Sequence, residues 1–318
     1  KLTSIRSLSL EELKSFLEEK NIPKFRSKQI YEWLWKKNAG SFVEMKNIGK
    51  NLQEVLSENF SIDKIVLKDE QLSNDKTLKC AFSIDEKSVV EGVLIPTPRR
   101  MTACISSQVG CSLACAFCAT GKLKLLRNLS AGEIYDQVYY LKKEAERRHE
   151  KSLSNIVYMG MGEPLLNYKN VLESIDKICS SDGLGMSPKR ITVSTAGIHK
   201  MIRRLGDDEV KFNLALSLHA ANDEKRNKIM EINANNNLES LKEALEYFHE
   251  KTGSRVTFEY IIFDQFNDTI EDARELAEFA KCVPCKINII EYNPIDGEPF
   301  QQAEAKKVDK FAAYLESK

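Results

Sequence analysis

The sequence of 318 residues carries 47 basic and 47 acidic residues, so its net charge is zero, and 42% of its residues are hydrophobic. These values are typical of a globular protein with room for one large α/β domain and a small appendage, and they argue against a protein that coats nucleic acid through bulk charge. Eight cysteines are too few for a disulfide scaffold, and without a recognisable signal peptide or transmembrane stretch we expect a cytoplasmic location.

Residues 1–62 are predicted to form a helical accessory domain. Ser9, with Glu12 three residues later, makes a capping box ahead of apolar residues at helical spacing. Residues 20–37 then combine six basic residues with four aromatic ones, which are Phe25, Tyr31, Trp33 and Trp35. That pattern suits phosphate contacts and base stacking and makes the domain a candidate for RNA binding. The alternative is that Trp33 and Leu34 face a helical core while the lysines are solvated.

Residues 63–98 are predicted to form a β-strand extension, because the apolar period changes from helical spacing to two. Ser88–Ile95 is a β-branched run within it. Glu91 shares one face of this run with Val89, Val93 and Ile95. A carboxylate among aliphatic side chains favours its protonated form, the usual preparation of a general base. The alternative is a strand whose Glu91 points to solvent.

Residues 99–318 alternate predicted strands with amphipathic stretches six times. The strand candidates are Ala103–Ser107, Asn155–Met159, Arg190–Thr195, Phe212–Leu218, Val256–Phe263 and Lys286–Glu291. Repeated βα units predict a parallel sheet covered by helices, and six units are too few to close an eight-stranded barrel. The predicted fold class is therefore α/β, a partial six-stranded (βα)6 barrel. Ligands in such folds bind at the carboxyl ends of the strands.

A cysteine triplet follows the first of these strands. Cys111, Cys115 and Cys118 offer three thiolates, which hold three irons of a [4Fe–4S] cluster and leave the fourth iron open. The spacing resembles that of radical S-adenosylmethionine (SAM) enzymes. Zinc is the alternative, but structural zinc uses four ligands, and the missing pair would have to come from distant Cys282 and Cys285.

Polar residues also follow the later strands of the repeat. Gly162 and Glu163 lie in a loop after the second strand, where glycine permits close backbone approach and a carboxylate pairs with an ammonium group. The other candidates are Ser194 after the third strand, Ser217, Leu218 and His219 after the fourth, and Asn293 after the sixth. A polar residue at the end of a strand suits the orientation of a ribose, a carboxylate or an adenine. The alternative for each of these residues is that it only caps a loop.

Several strings together resemble one family across nearly the whole chain. They are Met101–Gly121, Arg127–Leu129, Gly160–Asn167 and Ser217–Ala220. The family is that of the dual-specificity RNA methyltransferases acting on adenine carbon 2, the RlmN family. Pro164, directly after Glu163, favours this family over the related carbon-8 adenine methyltransferases.

The resemblance implies a role for each candidate residue. Cys111, Cys115 and Cys118 would ligate the [4Fe–4S] cluster, Glu91 would accept a proton, and Cys104, which alone resembles a buried structural thiol, would help to resolve a protein–RNA intermediate. The implied SAM-binding residues are Gly162, Glu163, Ser194, Ser217, Leu218, His219 and Asn293. The implied partners are an adenine of 23S rRNA, an anticodon-loop adenine of certain tRNAs, and a flavodoxin-type electron donor.

The implied reaction explains why radical chemistry is needed. Carbon 2 of adenine lies between two ring nitrogens and is not nucleophilic, so it cannot displace methyl from SAM. By resemblance, a first SAM methylates a carrier cysteine, and a second SAM yields a radical that activates this methyl group for addition to the ring. The resemblance places the carrier cysteine in a segment after the last helix, but no cysteine follows Cys285. We therefore expect a trimmed or partly disordered chain that binds the cluster and SAM without turnover. The remaining alternatives are the carbon-8 enzyme and a zinc-stabilised RNA-binding protein.

Overall fold

The computed structural model describes residues 2–318, which form two compact units. The first unit takes the chain through Ser107 together with Asn128–Ile156 and Asn167–Pro188, and the second takes Gln108–Arg127, Val157–Leu166 and Lys189–Lys318. Both units are therefore built from segments that are distant in sequence. No helix in the described range is long and apolar enough to cross a membrane.

The amino-terminal part of the first unit is helical. Its elements are β1 (Thr3–Ser4), α1 (Leu10–Glu19), α2 (Arg26–Tyr31), α3 (Lys50–Asn59) and β2 (Phe60–Ser61), and β1 pairs with β2 in parallel. The predicted capping box is confirmed, since the Ser9 hydroxyl accepts from the Glu12 amide at 3.1 Å and the Glu12 carboxylate accepts from the Ser9 amide at 2.6 Å. Leu13 and Leu17 of α1 are buried.

The aromatic residues between 20 and 37 divide between core and surface. Tyr31, Leu34 and Trp35 are buried, so Tyr31 and Trp35 cannot stack on bases, contrary to the base-stacking interpretation of these two rings. Phe25 is 58% exposed, and the Trp33 ring is half-buried with its indole nitrogen bonded to Asn47. Only Phe25 and Trp33 therefore remain candidates for nucleic-acid contact.

An antiparallel sheet follows in the same unit. Its strands, in spatial order, are β3 (Val66–Leu72), β4 (Leu78–Ser83), β5 (Val89–Pro96) and β6 (Met101–Cys104). Leu78, Cys80 and Phe82 of β4 are buried, as their alternation predicts. The strand predicted over 103–107 instead ends at Cys104, because the polar groups of Ser106 bond to partners outside the strand pairing of β6. The Ser106 amide donates to the Gln137 side chain at 2.9 Å, and its hydroxyl donates to the Glu91 carbonyl.

Two helices complete the first unit, α4 (Ala131–His149) and α5 (Tyr168–Cys179). A capping box at Ser130 and Glu133 begins α4, and the spacing of this serine and glutamate in the sequence is the pattern that predicts such a helix start. Near the start of α4, the buried Asp136 carboxylate accepts from Arg6 at 2.9 Å and from Lys64 at 2.7 Å. The Arg6 guanidinium is 4% exposed and lies 4.7 Å from the centre of the Trp35 ring. Asp136 thus neutralises a cation that is sealed in the core.

Asp136→Ala is expected to destabilise the protein by about 3–5 kcal/mol, because it leaves the Arg6 charge buried without a partner. The measurement is urea unfolding of the wild type and the variant under identical conditions. Glu224→Ala is the matched control, since it removes a carboxylate from an exposed ion pair with Lys228. An Asp136→Ala variant no less stable than the control would contradict this account of the buried pair.

The remaining strands are β7 (Gln108–Val109), β8 (Arg127–Asn128), β9 (Asn155–Tyr158), β10 (Ile191–Thr195), β11 (Asn213–Ser217), β12 (Val256–Ile262) and β13 (Cys285–Glu291). The remaining helices are α6 (His199–Asp207), α7 (Asp223–Ile229), α8 (Leu238–Thr252), α9 (Ile270–Ala280) and α10 (Ala305–Glu316). In the second unit β10, β11, β12 and β13 are successive parallel neighbours with helices between them in the chain. Their carboxyl ends consequently share one edge.

Candidate active site

The three cysteines of the triplet line one cavity of about 260 Å³ in the second unit. Their loop is tightly wound, since Ala114 has a φ of +48° and a Cβ at Gly121 would lie 2.7 Å from the Cys115 carbonyl oxygen. Burial raises the pKa of the Cys115 thiol to about 12 and also raises that of Cys111. Binding of iron must therefore displace protons from these thiols.

The thiols do not converge on a single ion. Among residues 2–318, no three His, Cys, Asp or Glu side chains are arranged to hold one metal ion. Zinc–sulfur bonds are about 2.3 Å long, so the sulfurs on one zinc lie within roughly 4 Å of one another. The corners of a four-iron cluster hold their thiolates further apart. Three half-buried thiols line this cavity, which is the number that a [4Fe–4S] cluster with one open iron uses, whereas structural zinc uses four ligands.

Glu163 lies in the wall of the same cavity and is 3% exposed. Its carboxylate accepts from the Leu165 amide at 3.1 Å and from the Ala196 amide at 2.8 Å, and burial raises its pKa. The preceding Gly162 has a φ of +95°, and a Cβ there would lie 2.5 Å from the Gln108 side chain. Glycine is therefore required at this turn, and both carboxylate oxygens are already held by backbone donors.

Ser194, Ser217 and His219 lie at the ends of β10 and β11 and line the same cavity. The two serine hydroxyls are 3.3 Å apart. The His219 ring accepts from the Ile261 amide through Nδ1 at 3.0 Å, which leaves its proton on Nε2. Burial, with a smaller contribution from Arg226, lowers the pKa of His219 to about 3. These residues present neutral hydrogen-bonding groups to the cavity at physiological pH.

His219→Gln is expected to flatten the pH dependence of stability between pH 7 and 5. The folded-state pKa lies below the unfolded value of 6.5, so the stability associated with neutral His219 is present above pH 6.5 and is lost as the pH falls toward 3. This loss is on the order of 1.4 kcal/mol per pH unit. Urea unfolding at pH 7.5, 6 and 5 measures it, and parallel profiles for wild type and variant would show that the ring is not buried in its neutral form.

Two of the sequence candidates are placed differently. Leu218 directly follows β11, and its side chain is fully buried although Ser217 and His219 on either side of it line the cavity. Asn293 is exposed in the loop after β13. Among the described residues, neither belongs to the cavity lining.

Two residues of this site escaped the sequence analysis. Glu259 of β12 is 7% exposed, lines the cavity and accepts from Asn288 at 3.0 Å, and burial raises its pKa. The sequence does indicate Glu259 in one respect, since it is the one charged residue of this strand. Arg226 of α7 is fully buried beneath the ends of β10 and β11. It stands in the charged run Asp223–Lys228, which has the composition of a solvated helix, so the sequence offers no signal for its burial.

Glu91 and Cys104 lie in the first unit, on neighbouring strands of its antiparallel sheet. Val93 pairs with Cys104 across β5 and β6, so Glu91, two residues before Val93, shares a face with Cys104. The expectation of a buried carboxylate among aliphatics is wrong, because the Glu91 side chain is 46% exposed and ion-paired with Lys79 at 2.7 Å. The buried face of β5 carries Val90, Gly92 and Leu94 instead.

Two models of known protein families match this chain. The model of the radical SAM superfamily matches residues 105–280, and that of the ribosomal RNA large subunit methyltransferase N-terminal domain matches residues 3–62. A solved radical SAM methyltransferase from Sphaerobacter thermophilus superposes with a TM-score of 0.92 at 34% identity, covering 99% of this chain and 92% of that one. The chain is therefore an enzyme of the radical SAM superfamily, and the predicted partial barrel with a helical amino-terminal domain is confirmed.

Curated relatives narrow the class. A probable dual-specificity RNA methyltransferase RlmN of Cytophaga hutchinsonii is 57% identical over 99% of this chain and 86% of its own length. The dual-specificity RNA methyltransferase RlmN of Campylobacter fetus is 39% identical, over 100% of this chain and 92% of its own. The chain belongs to the RlmN family. Membership of the superfamily implies an iron–sulfur cluster and SAM as cofactors, and the carbon-8 and zinc alternatives are not favoured.

Proposed function

We propose that this protein transfers a methyl group from SAM to carbon 2 of adenine in 23S rRNA and in certain tRNAs. The observation that carries the proposal is the single cavity lined by the cysteine triplet and by polar strand ends, in a chain of the RlmN family. When bound, the cluster and SAM supply the one-electron chemistry that an unreactive ring carbon requires. The protein supplies the ligands, the orientation and a site shielded from water.

The proposed cofactor site lies in the second unit. Cys111, Cys115 and Cys118 would hold three irons of a [4Fe–4S] cluster, and the fourth iron would stay open for SAM. The residues proposed to bind SAM are Gly162, Glu163, Ser194, Ser217, Leu218, His219 and Asn293. Leu218 contributes through its backbone, since its side chain is buried. Glu259 joins this set because its carboxylate lines the cavity and can accept from hydroxyl groups.

Glu91 and Cys104 are the proposed catalytic residues for the later steps. Glu91 takes the proton from carbon 2 after the new carbon–carbon bond forms. The Cys104 thiolate then attacks the sulfur of the carrier cysteine, a residue not present in this chain, so that a disulfide forms, the bond from that sulfur to the new methylene carbon breaks, and this carbon takes up a proton to become the methyl group. Their common position on one face of β5 and β6 supports a joint role. The partial exposure of Glu91 suits a base that must contact a macromolecular substrate.

Residues 1–62 are proposed as the RNA-binding accessory domain, residues 63–98 as the extension and residues 99–318 as the catalytic barrel. The exposed side chains of Lys36, Lys37 and Phe25 support an RNA-binding surface in the first segment. Binding through lysines should weaken steeply with salt. We further propose a flavodoxin-type electron donor and a cytoplasmic location.

Anaerobic reconstitution with iron and sulfide tests the cofactor site. Broad visible absorbance, followed by formation of 5′-deoxyadenosine when SAM and a chemical reductant are added, would support the proposal. A stoichiometric zinc content without iron uptake would overturn it.

A further inference from the structure

Arg226 occupies an unusual place for an arginine. Its side chain is fully buried, and its acceptors are neutral oxygens of the chain. Nε donates to the Leu218 carbonyl at 3.1 Å, Nη2 donates to the carbonyls of Ala196 at 2.5 Å and Ser217 at 3.2 Å, and Nη1 donates to the Asn233 side chain at 2.6 Å. The planar guanidinium therefore ties together the chain directly after β10 and the end of β11.

The same helix also supports the cysteine loop. The Ala116 amide, between Cys115 and Cys118, donates to the Ile229 carbonyl at the end of α7 at 3.0 Å. Met230, the next residue, lines the cavity together with the three cysteines. Arg226 thus stands on an element that contacts both the strand ends and the cysteine loop by hydrogen bonds.

The charge on Arg226 is poorly compensated. Burial lowers its pKa only to about 10, so the guanidinium remains protonated near pH 7, and Asp223 is the acid that acts on it. The guanidinium donates to the carbonyls of Ala196 and Ser217, two residues that line the cavity together with the cysteine triplet, so its charge lies behind the wall of the proposed cluster site. A buried charge acts more strongly there than it would at the surface, because little water screens it.

We propose that Arg226 is a positioning residue whose uncompensated charge raises the reduction potential of the cluster held by the cysteine triplet. Uptake of one electron from the external donor adds one negative charge to the cluster without making or breaking a bond. A fixed cation nearby stabilises this reduced form, and local charge is one of the factors that set cluster potentials. The inference rests on the proposed cluster site.

Arg226→Met removes the charge and the hydrogen bonds, whereas Arg226→Lys keeps the charge and loses the planar fork. The measurement is a redox titration of the reconstituted protein followed by electron paramagnetic resonance. For Arg226→Met we expect about a tenfold lower ratio of reduced to oxidised cluster at fixed potential, a downward shift of about 59 mV for one electron. Arg226→Lys should stay near the wild-type midpoint, although both variants should bind SAM more weakly.

Asp223→Asn removes the acid that acts on the Arg226 guanidinium and keeps the hydrogen bonds of residue 223. Its remaining side-chain oxygen can still accept from Asn233 and from the Leu238 amide, as Asp223 does at 2.8 and 3.0 Å. Removing this acid should shift the midpoint potential of the cluster upward. The ratio of reduced to oxidised cluster at fixed potential should then rise roughly threefold. This result remains available if Arg226→Met fails to fold.

Midpoints unchanged from the wild type in Asp223→Asn and in any folded Arg226→Met protein would overturn the inference. Equal downward shifts in Arg226→Met and Arg226→Lys would also overturn it, because they would assign the effect to the fork rather than to the charge. Failure of the proposed cluster site is distinguishable, since the unsubstituted protein would then take up no cluster at all.

Discussion

Replacing Cys115 by alanine is expected to abolish both the visible absorbance of the reconstituted protein and its cleavage of SAM. Two thiolates cannot hold three irons of a cubane, and Cys115 is the central ligand of the tightly wound loop. In a protein that also carries the carrier cysteine, RNA methylation should fall to background for the same reason. Iron and sulfide content, absorbance and 5′-deoxyadenosine formation are measured under anaerobic conditions.

Cys179→Ala is the matched control, because Cys179 is also a half-buried thiol but ends α5 in the first unit. It should leave cluster content and SAM cleavage unchanged. A Cys115→Ala protein that retains the full absorbance would place the cluster elsewhere and contradict the proposed ligand set.

Replacing Glu91 by glutamine is expected to reduce methylation of RNA by about 10²–10⁴-fold, the usual contribution of a general base. The amide keeps the size of the side chain but cannot accept the ring proton. Because Glu91 is neither a proposed cluster ligand nor part of the cavity lining among the described residues, cluster content and SAM cleavage without RNA should stay near wild type. Methylated adenine is quantified in RNA from cells that express each substitution in a protein that also carries the carrier cysteine.

Glu86→Gln, in the exposed turn between β4 and β5, controls for a change of charge in this sheet. Its methylation should match the wild type. Equal activity of Glu91→Gln and Glu86→Gln would show that another group removes the proton.

Much of the fold follows from local sequence patterns. Alternating strands and helices predicted the parallel strands β10 to β13, with bounds that differ by one or two residues, because each is a short apolar run between turn signals. The capping boxes at Ser9 and Ser130 gave two helix starts directly. The end of β6 could not be predicted, because it depends on Gln137, which lies 31 residues from Ser106.

The sequence predicted the site residues that follow strands. It did not predict the orientation or burial of residues that depends on packing against distant parts of the chain. Strand ends located Glu163, Ser194 and His219, because parallel strands bring their carboxyl ends together. Periodicity could not decide which way Glu91 faces, since both faces of β5 are apolar, and the ion pair with Lys79 depends on strand register. The burial of Arg226 arises from carbonyls on two distant strand ends, and no local pattern encodes that.

Mapping of the modified adenine in RNA is the most direct test of the central claim. Cells that lack their own enzyme of this family would express a protein that carries this sequence together with the carrier cysteine, and their 23S rRNA and tRNA would be analysed by nuclease digestion and mass spectrometry. We predict a methyl group on carbon 2 of adenine that appears with the wild type and is lost with Cys115→Ala. A methyl group on carbon 8, or RNA indistinguishable from that of cells without the protein, would contradict it.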